Sequence, residues 1–140
     1  RRCASGSCAW SKSVRLPSPL NTSPGVRSPT EYFCAGLAFG YTKYFLQVPY
    51  DPNIYFQGEE QTMSVRFYEN NIAIVCPPDL YLYHDYVGEK RKRHWETNSN
   101  LESLQKASAD RVDMILQGYM KDKWSIQENT FTRFEVDYMS

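Results

Sequence analysis

The first thirty residues offer almost nothing to bury, so a core must be built from residues 31–140. Residues 1–30 hold seven Ser and four Pro, and their sizeable apolar side chains are only Trp10, Val14, Leu16, Leu20 and Val26. Proline fixes φ and removes a backbone donor, so Leu16-Pro17-Ser18-Pro19-Leu20 is expected to be extended or polyproline-like. A segment of this composition cannot offset its own ordering entropy. The expected organisation is therefore an extended basic arm, 1–30, followed by a single α+β domain, 31–140.

Charge divides at the same place. Sixteen Lys plus Arg balance sixteen Asp plus Glu across the chain. The arm carries Arg1, Arg2, Lys12, Arg15 and Arg27 and no acid, which leaves 11 basic against 16 acidic residues in 31–140. The arm is thus +5 and the body −5. These five cations are candidates for gripping an acidic protein surface; nucleic acid is a weaker option, because aromatic interleaving is missing. Three Ser-Pro pairs put candidate phosphorylation sites at Ser18, Ser23 and Ser28, where added phosphate would cancel the arm's charge.

Hydrophobic residues make up 41% of the chain, which excludes wholesale disorder, and aromatics reach 15%, which favours strands and contact surfaces. No apolar run approaches the roughly 18 residues of a membrane helix. Cys3, Cys8, Cys34 and Cys76 form no C-x-x-C pair, so reduced structural cysteines are expected, with Cys34 and Cys76 inside apolar runs. An intracellular, cytoplasmic or cytoskeletal setting follows.

The body reads as strands, then a helix, then a strand. Residues 41–48 and 54–56 are strand candidates separated by the turn chemistry of Pro49-Tyr50-Asp51-Pro52-Asn53. Met63, Val65 and Phe67 alternate with Ser64, Arg66 and Tyr68, the period of a half-buried strand. Asn70-Asn71 turns it into a hairpin with 72–76, and 80–87 supplies a third strand. Leu101, Leu104, Ala107, Val112, Ile115, Leu116 and Tyr119 form a helical stripe, which predicts one long helix over 101–123 with Gly118 as its weak point. Thr132, Phe134, Val136 and Tyr138 alternate again as a last strand. The predicted fold is an antiparallel sheet packed against one long amphipathic C-terminal helix.

Between the third strand and the helix lie Lys90, Arg91, Lys92 and Arg93, followed by Trp95. This basic turn is either solvated surface that blocks strand addition or an anion- or acidic-partner patch anchored by Trp95. Catalytic and metal-ligating residues are not picked out. His84 and Asp85 would point to opposite faces of a strand, and nucleotide, P-loop and zinc-protease motifs are missing. No cofactor is called for.

The order of features from Met63 to Lys123 resembles the polo-box module of polo-like kinases. Val65-Arg66-Phe67-Tyr68 leads through a hairpin to Ile72-Ala73-Ile74-Val75-Cys76-Pro77, then a Tyr-rich strand, a charged turn and a long amphipathic helix. The resemblance implies a sheet-on-helix docking fold. The family's phosphate-gripping His-x-Lys pair is replaced here by Glu69-Asn70-Asn71, so docking without phosphate reading is implied. The functional expectation is a non-catalytic interaction module or small structural subunit of a cytoskeletal, ciliary or centrosomal assembly. Its partners would be other protein subunits with acidic surfaces. Alternatives are an acidic-peptide or nucleic-acid binder using the basic turn and the arm, and, more remotely, a small enzyme with an unrecognised site.

Overall fold

A computed structural model describes residues 28–30, 32–76 and 92–139. Helices dominate these residues: α1 (Thr42–Gln47), α2 (Glu59–Glu69), α3 (Leu101–Leu116) and α4 (Thr130–Met139), with a single 3-10 turn at His94–Glu96. The β-structure among the described residues is one antiparallel pair, β1 (Ser28–Thr30) and β2 (Ile74–Cys76), with Pro29 opposite Val75. The expected antiparallel sheet on one long helix is therefore corrected to a helical arrangement in which α2 packs against both α3 and α4.

The source of the error is plainest in α2. Six consecutive residues, Thr62 to Phe67, are buried. Met63 and Phe67 lie one turn apart and enter a cluster with Phe33 and Val48, whereas Val65 enters a second cluster with Ile115, Ile126 and Phe134. At 100° per residue, Val65 is roughly opposite Met63 on the helix. Apolar residues spaced by two thus serve two cores on opposite sides of one helix, and they imitate a strand. The polar residues between them stay inside because they are satisfied locally. The Ser64 hydroxyl donates to the Glu60 carbonyl (2.6 Å) and accepts the Phe33 N–H (2.9 Å), while Thr62 donates to the Gly58 carbonyl (3.1 Å).

The other strand expectations are corrected similarly. Residues 41–48 contain α1, and 54–56 are irregular. Alternation in 132–138 is broken by burial, for Phe134 is 1% exposed and Val136 61%. Phe134 and Tyr138 instead both meet the Tyr68 ring edge-on, at ring separations of 5.5 and 5.7 Å, a helical i, i+4 pair. Residues 74–76 are a strand, but their partner is β1 and not 63–68. Asn71 does take the left-handed conformation expected of it (φ 53°), in the turn that follows α2. The third strand, 80–87, lies outside the described residues.

The long helix is real but shorter than predicted. Gly118, read as a weak interior position, is the left-handed residue (φ 72°) that ends α3. Its N–H donates to the Ile115 carbonyl (2.9 Å) and the Tyr119 N–H to the Met114 carbonyl (2.9 Å), a Schellman closure. Lys106 pairs with Asp110 (2.6 Å) rather than with Glu102. Cys34, expected inside an apolar run, is exposed.

Candidate active site

The irregular stretch between Val48 and α2 is the hub to which the rest of the described chain is tied. The Pro49 carbonyl accepts from Arg66 Nη1 of α2 (2.6 Å), and the Tyr50 carbonyl accepts from Trp124 Nε1 (3.0 Å). Asp51, with a side chain 1% exposed, accepts from Arg111 Nε of α3 (2.5 Å) and from the Asn53 N–H (2.9 Å). Arg111 also reaches Asp122 through Nη2 (2.8 Å). The Tyr55 N–H donates to Ser108 Oγ (2.6 Å), and Asn98 Nδ2 donates to the Tyr55 hydroxyl (3.3 Å). An ion pair this enclosed contributes little net stability, but losing one member would strand a buried charge. Its role is to hold the loop in one place.

Two left-handed residues turn this loop into α2: Phe56 (φ 62°) and Gly58 (φ 95°). At Gly58 a side chain has no room, since an added Cβ would fall 2.3 Å from Val112 Cγ2. The outcome is a fixed helix start that presents two adjacent carboxylates, Glu59 and Glu60.

The two acids are not equivalent. Glu60 Oε1 accepts the Ala35 N–H (2.8 Å) and so pins the 33–41 loop to α2. Glu59 has a carboxylate oxygen, Oε2, that is buried and accepts no hydrogen bond from the described residues. Burial raises the Glu59 pKa above the ordinary carboxylate value; its own backbone N–H opposes the shift, and the charge of Glu60 adds to it. Tyr50 faces the same negative region, its pKa raised by burial and then by Glu59, Glu60 and Cys34. Glu59 is thus a partly buried carboxylate whose charged form is disfavoured by its surroundings.

A recess of about 40 Å³ lies elsewhere, lined in part by Thr30, Ser64, Tyr68 and Phe134. It is far below the several hundred Å³ of a typical small-molecule pocket. Among the described residues no cluster of three or more His, Cys, Asp or Glu is gathered as for a metal ion. No helix among them is long and apolar enough to cross a membrane.

Of the residues singled out from sequence, Lys92, Arg93 and Trp95 are described. Lys92 and Arg93 are exposed, and the Trp95 ring lies tilted against Phe56 of the hub, with centroids 5.0 Å apart. Lys90 and Arg91 lie outside the described residues, as do Arg1, Arg2, Lys12, Arg15, Arg27, Ser18 and Ser23; for Ser28 only the backbone, in β1, is described. Sequence reasoning passed over Glu59, Glu60, Asp51 and Arg111. It sought paired acids at strand ends, while these sit at the start of a helix. The one signal available was Gly58-Glu59-Glu60, a helix-breaking residue followed by two adjacent acids.

Residues 11–138 match the family described as glycosyltransferase (GlcNAc), nearly the whole chain. The chain belongs to that family. No curated protein and no solved structure matches it. Membership corrects the polo-box resemblance, whose leading strand, 63–68, lies within helix α2. It also replaces the expected non-catalytic scaffold of a cytoskeletal, ciliary or centrosomal assembly, and both binding-module alternatives, with a family named for an enzyme activity.

Proposed function

We propose that this chain contributes the proton-accepting part of a site that transfers N-acetylglucosamine from an activated donor to an acceptor hydroxyl. Glu59 Oε2, buried and without a hydrogen-bond partner among the described residues, is the observation that carries the reading. An unpaired buried carboxylate oxygen costs about 1–3 kcal/mol, a cost that functional positions tolerate. The acceptor oxygen bonds to the sugar's C1, its proton passes to Glu59, and the C1–leaving-group bond breaks with its electron pair leaving on the departing group. Glu60 acts as a positioning residue through Ala35, and the Asp51–Arg111 pair holds the loop that sets the start of α2.

The test is transfer of labelled N-acetylglucosamine from UDP-N-acetylglucosamine by the protein carrying Glu59→Gln. Removing a general base lowers the rate by about 10²–10⁴-fold. A carboxyl whose pKa is raised on folding favours the native state below its ordinary pKa, and that benefit fades as pH rises through the shifted value. At neutral pH the neutral glutamine should therefore leave the melting temperature unchanged or higher. Full transfer by the variant would overturn the reading.

A further inference from the structure

Between Phe33 and α1 the chain leaves the first hydrophobic cluster and comes back to it. Phe33 is buried against Phe67 with stacked rings 5.6 Å apart, and Phe45 meets the same Phe67 ring edge-on at 6.1 Å. The residues from Cys34 to Lys43 between them are all exposed. Apolar side chains nevertheless occupy this loop. Phe39 is fully exposed, and Leu37 and Tyr41, with Leu46 on α1, are more than half exposed. No residue of α1 itself is buried. The footing of the loop is fixed, because the Phe33 N–H donates to Ser64 Oγ and the Ala35 N–H to Glu60 Oε1, both on α2. An apolar tip held out from the core in this way marks a contact surface.

We infer that this loop inserts Leu37 and Phe39 into the interfacial layer of a lipid bilayer that carries anionic headgroups. Charge favours a bilayer over a protein. From Tyr32 to Tyr50 the only charged residue is Lys43, a cation. A protein interface surrounds its apolar centre with a polar, hydrogen-bonding rim. Here the foot of the loop is made of tyrosines instead: Tyr41 and Tyr44, whose rings meet edge-on at 6.1 Å, and Tyr50, whose ring meets Phe33 at 5.8 Å. Such amphipathic rings settle at the level of lipid headgroups. Lys43 Nζ lies over the Tyr44 and Tyr41 rings, at 4.9 and 5.8 Å, which sets its ammonium at the same level as the tyrosines, where lipid phosphate would meet it. Shape points the same way. Phe39 is a projecting point and not the wall of a groove, and a fluid surface accepts it without a preformed pocket. Two inserted side chains and one cation make a weak, reversible attachment. It does not depend on the transfer reading, since Glu59 has no part in it.

Flotation of the protein with vesicles of phosphatidylcholine, alone and mixed with phosphatidylserine, tests this, with Phe39→Ala, Lys43→Gln and Met114→Ala variants whose folding is checked by thermal melting. The unmodified protein should float with the mixed vesicles. Phe39→Ala should lower the partition coefficient about 10- to 100-fold, the worth of burying one phenylalanine side chain. Lys43→Gln should weaken binding to the mixed vesicles about fivefold and leave binding to pure phosphatidylcholine unchanged. Met114→Ala removes an exposed apolar side chain from α3 and should change nothing. No flotation of the unmodified protein with the mixed vesicles, unchanged binding by Phe39→Ala, or an equal loss in Phe39→Ala and Met114→Ala overturns the inference. So does a dimer in sedimentation velocity that Phe39→Ala dissolves while vesicles bind nothing, which would assign the loop to a second copy of this chain. Glu59→Gln should float like the unmodified protein, so the failure of either proposal leaves the other standing.

Discussion

The helices α2 and α3 are neighbours, yet they hold the fold in opposite ways. α3 is a surface helix with one inward stripe, Ser108, Val112 and Ile115, and its remaining length is turned to solvent or half-covered. α2 is buried over Thr62–Phe67 and separates two hydrophobic clusters. A one-sided helix can be read from its stripe, because water dictates the opposite face. A two-sided helix has no such stripe, and its sequence answers to the shapes of its neighbours. The functional contrast runs the same way: the central helix carries the candidate acids, and the outer helix supplies Arg111 and Ser108 to hold the loop before them.

The largest expected effect breaks or sustains that contrast directly. Phe67→Ala should cost about 3–5 kcal/mol, the range for an aromatic side chain removed from a core. Met114→Ala, on the exposed side of α3, should stay within about 0.5 kcal/mol. Chemical denaturation of the two variants measures both, and equal costs would dissolve the distinction between the helices.

A smaller effect sharpens the junction where they meet. Gly58→Ala adds a Cβ both to a left-handed backbone and into Val112, and about 3 kcal/mol of destabilisation is expected from strain and overpacking together. Val112→Ala in the same chain should recover part of that loss, since the closest clash is with a γ-methyl. A double-mutant cycle without positive coupling would show that the close packing of α2 against α3 is not what limits this position.

The smallest effect concerns the salt-bridge end of the network. Burial alone would raise the Asp122 pKa, but hydrogen bonds from Arg111 and from the Trp124 and Ser125 backbones, with the charge of Arg111, bring it below the ordinary value. A depressed carboxyl pKa adds stability above the ordinary value, near 3.9, and that stability is lost as pH falls through the lowered one. The difference in melting temperature between the protein and Asp122→Asn should therefore be steady at neutral pH and shrink below about pH 4. A gap that persisted in acid would assign Asp122 a role other than its charge.

How much was legible follows the same physical divide. The stripe of α3 was readable from local spacing. Gly118 was noticed, but its meaning depended on seeing that the chain turns there, at φ 72°, into the 122–129 segment, where an added Cβ would fall 3.1 Å from the Glu128 Cα. Pro49-Tyr50-Asp51-Pro52-Asn53 was legible as a turn, and Asp51 does accept the Asn53 N–H in an Asx turn. Its place as the anchor of a buried pair was not, because Arg111 lies sixty residues further along. Trp95 was noticed as an anchor, and its described ring contact is with Phe56 of its own chain.

By itself the sequence determined that there is enough apolar and aromatic surface for a core beyond residue 30, where a one-sided helix lies, and which residues can turn the chain. These are local matters, settled by propensity, charge and spacing. Only the tertiary structure decided that Met63, Val65 and Phe67 belong to a helix, that Asp51 and Arg111 meet, and that Glu59 has a buried oxygen with no partner among the described residues. Each depends on what stands on the far side of a residue, and burial is a property of the assembled chain rather than of any short run of it.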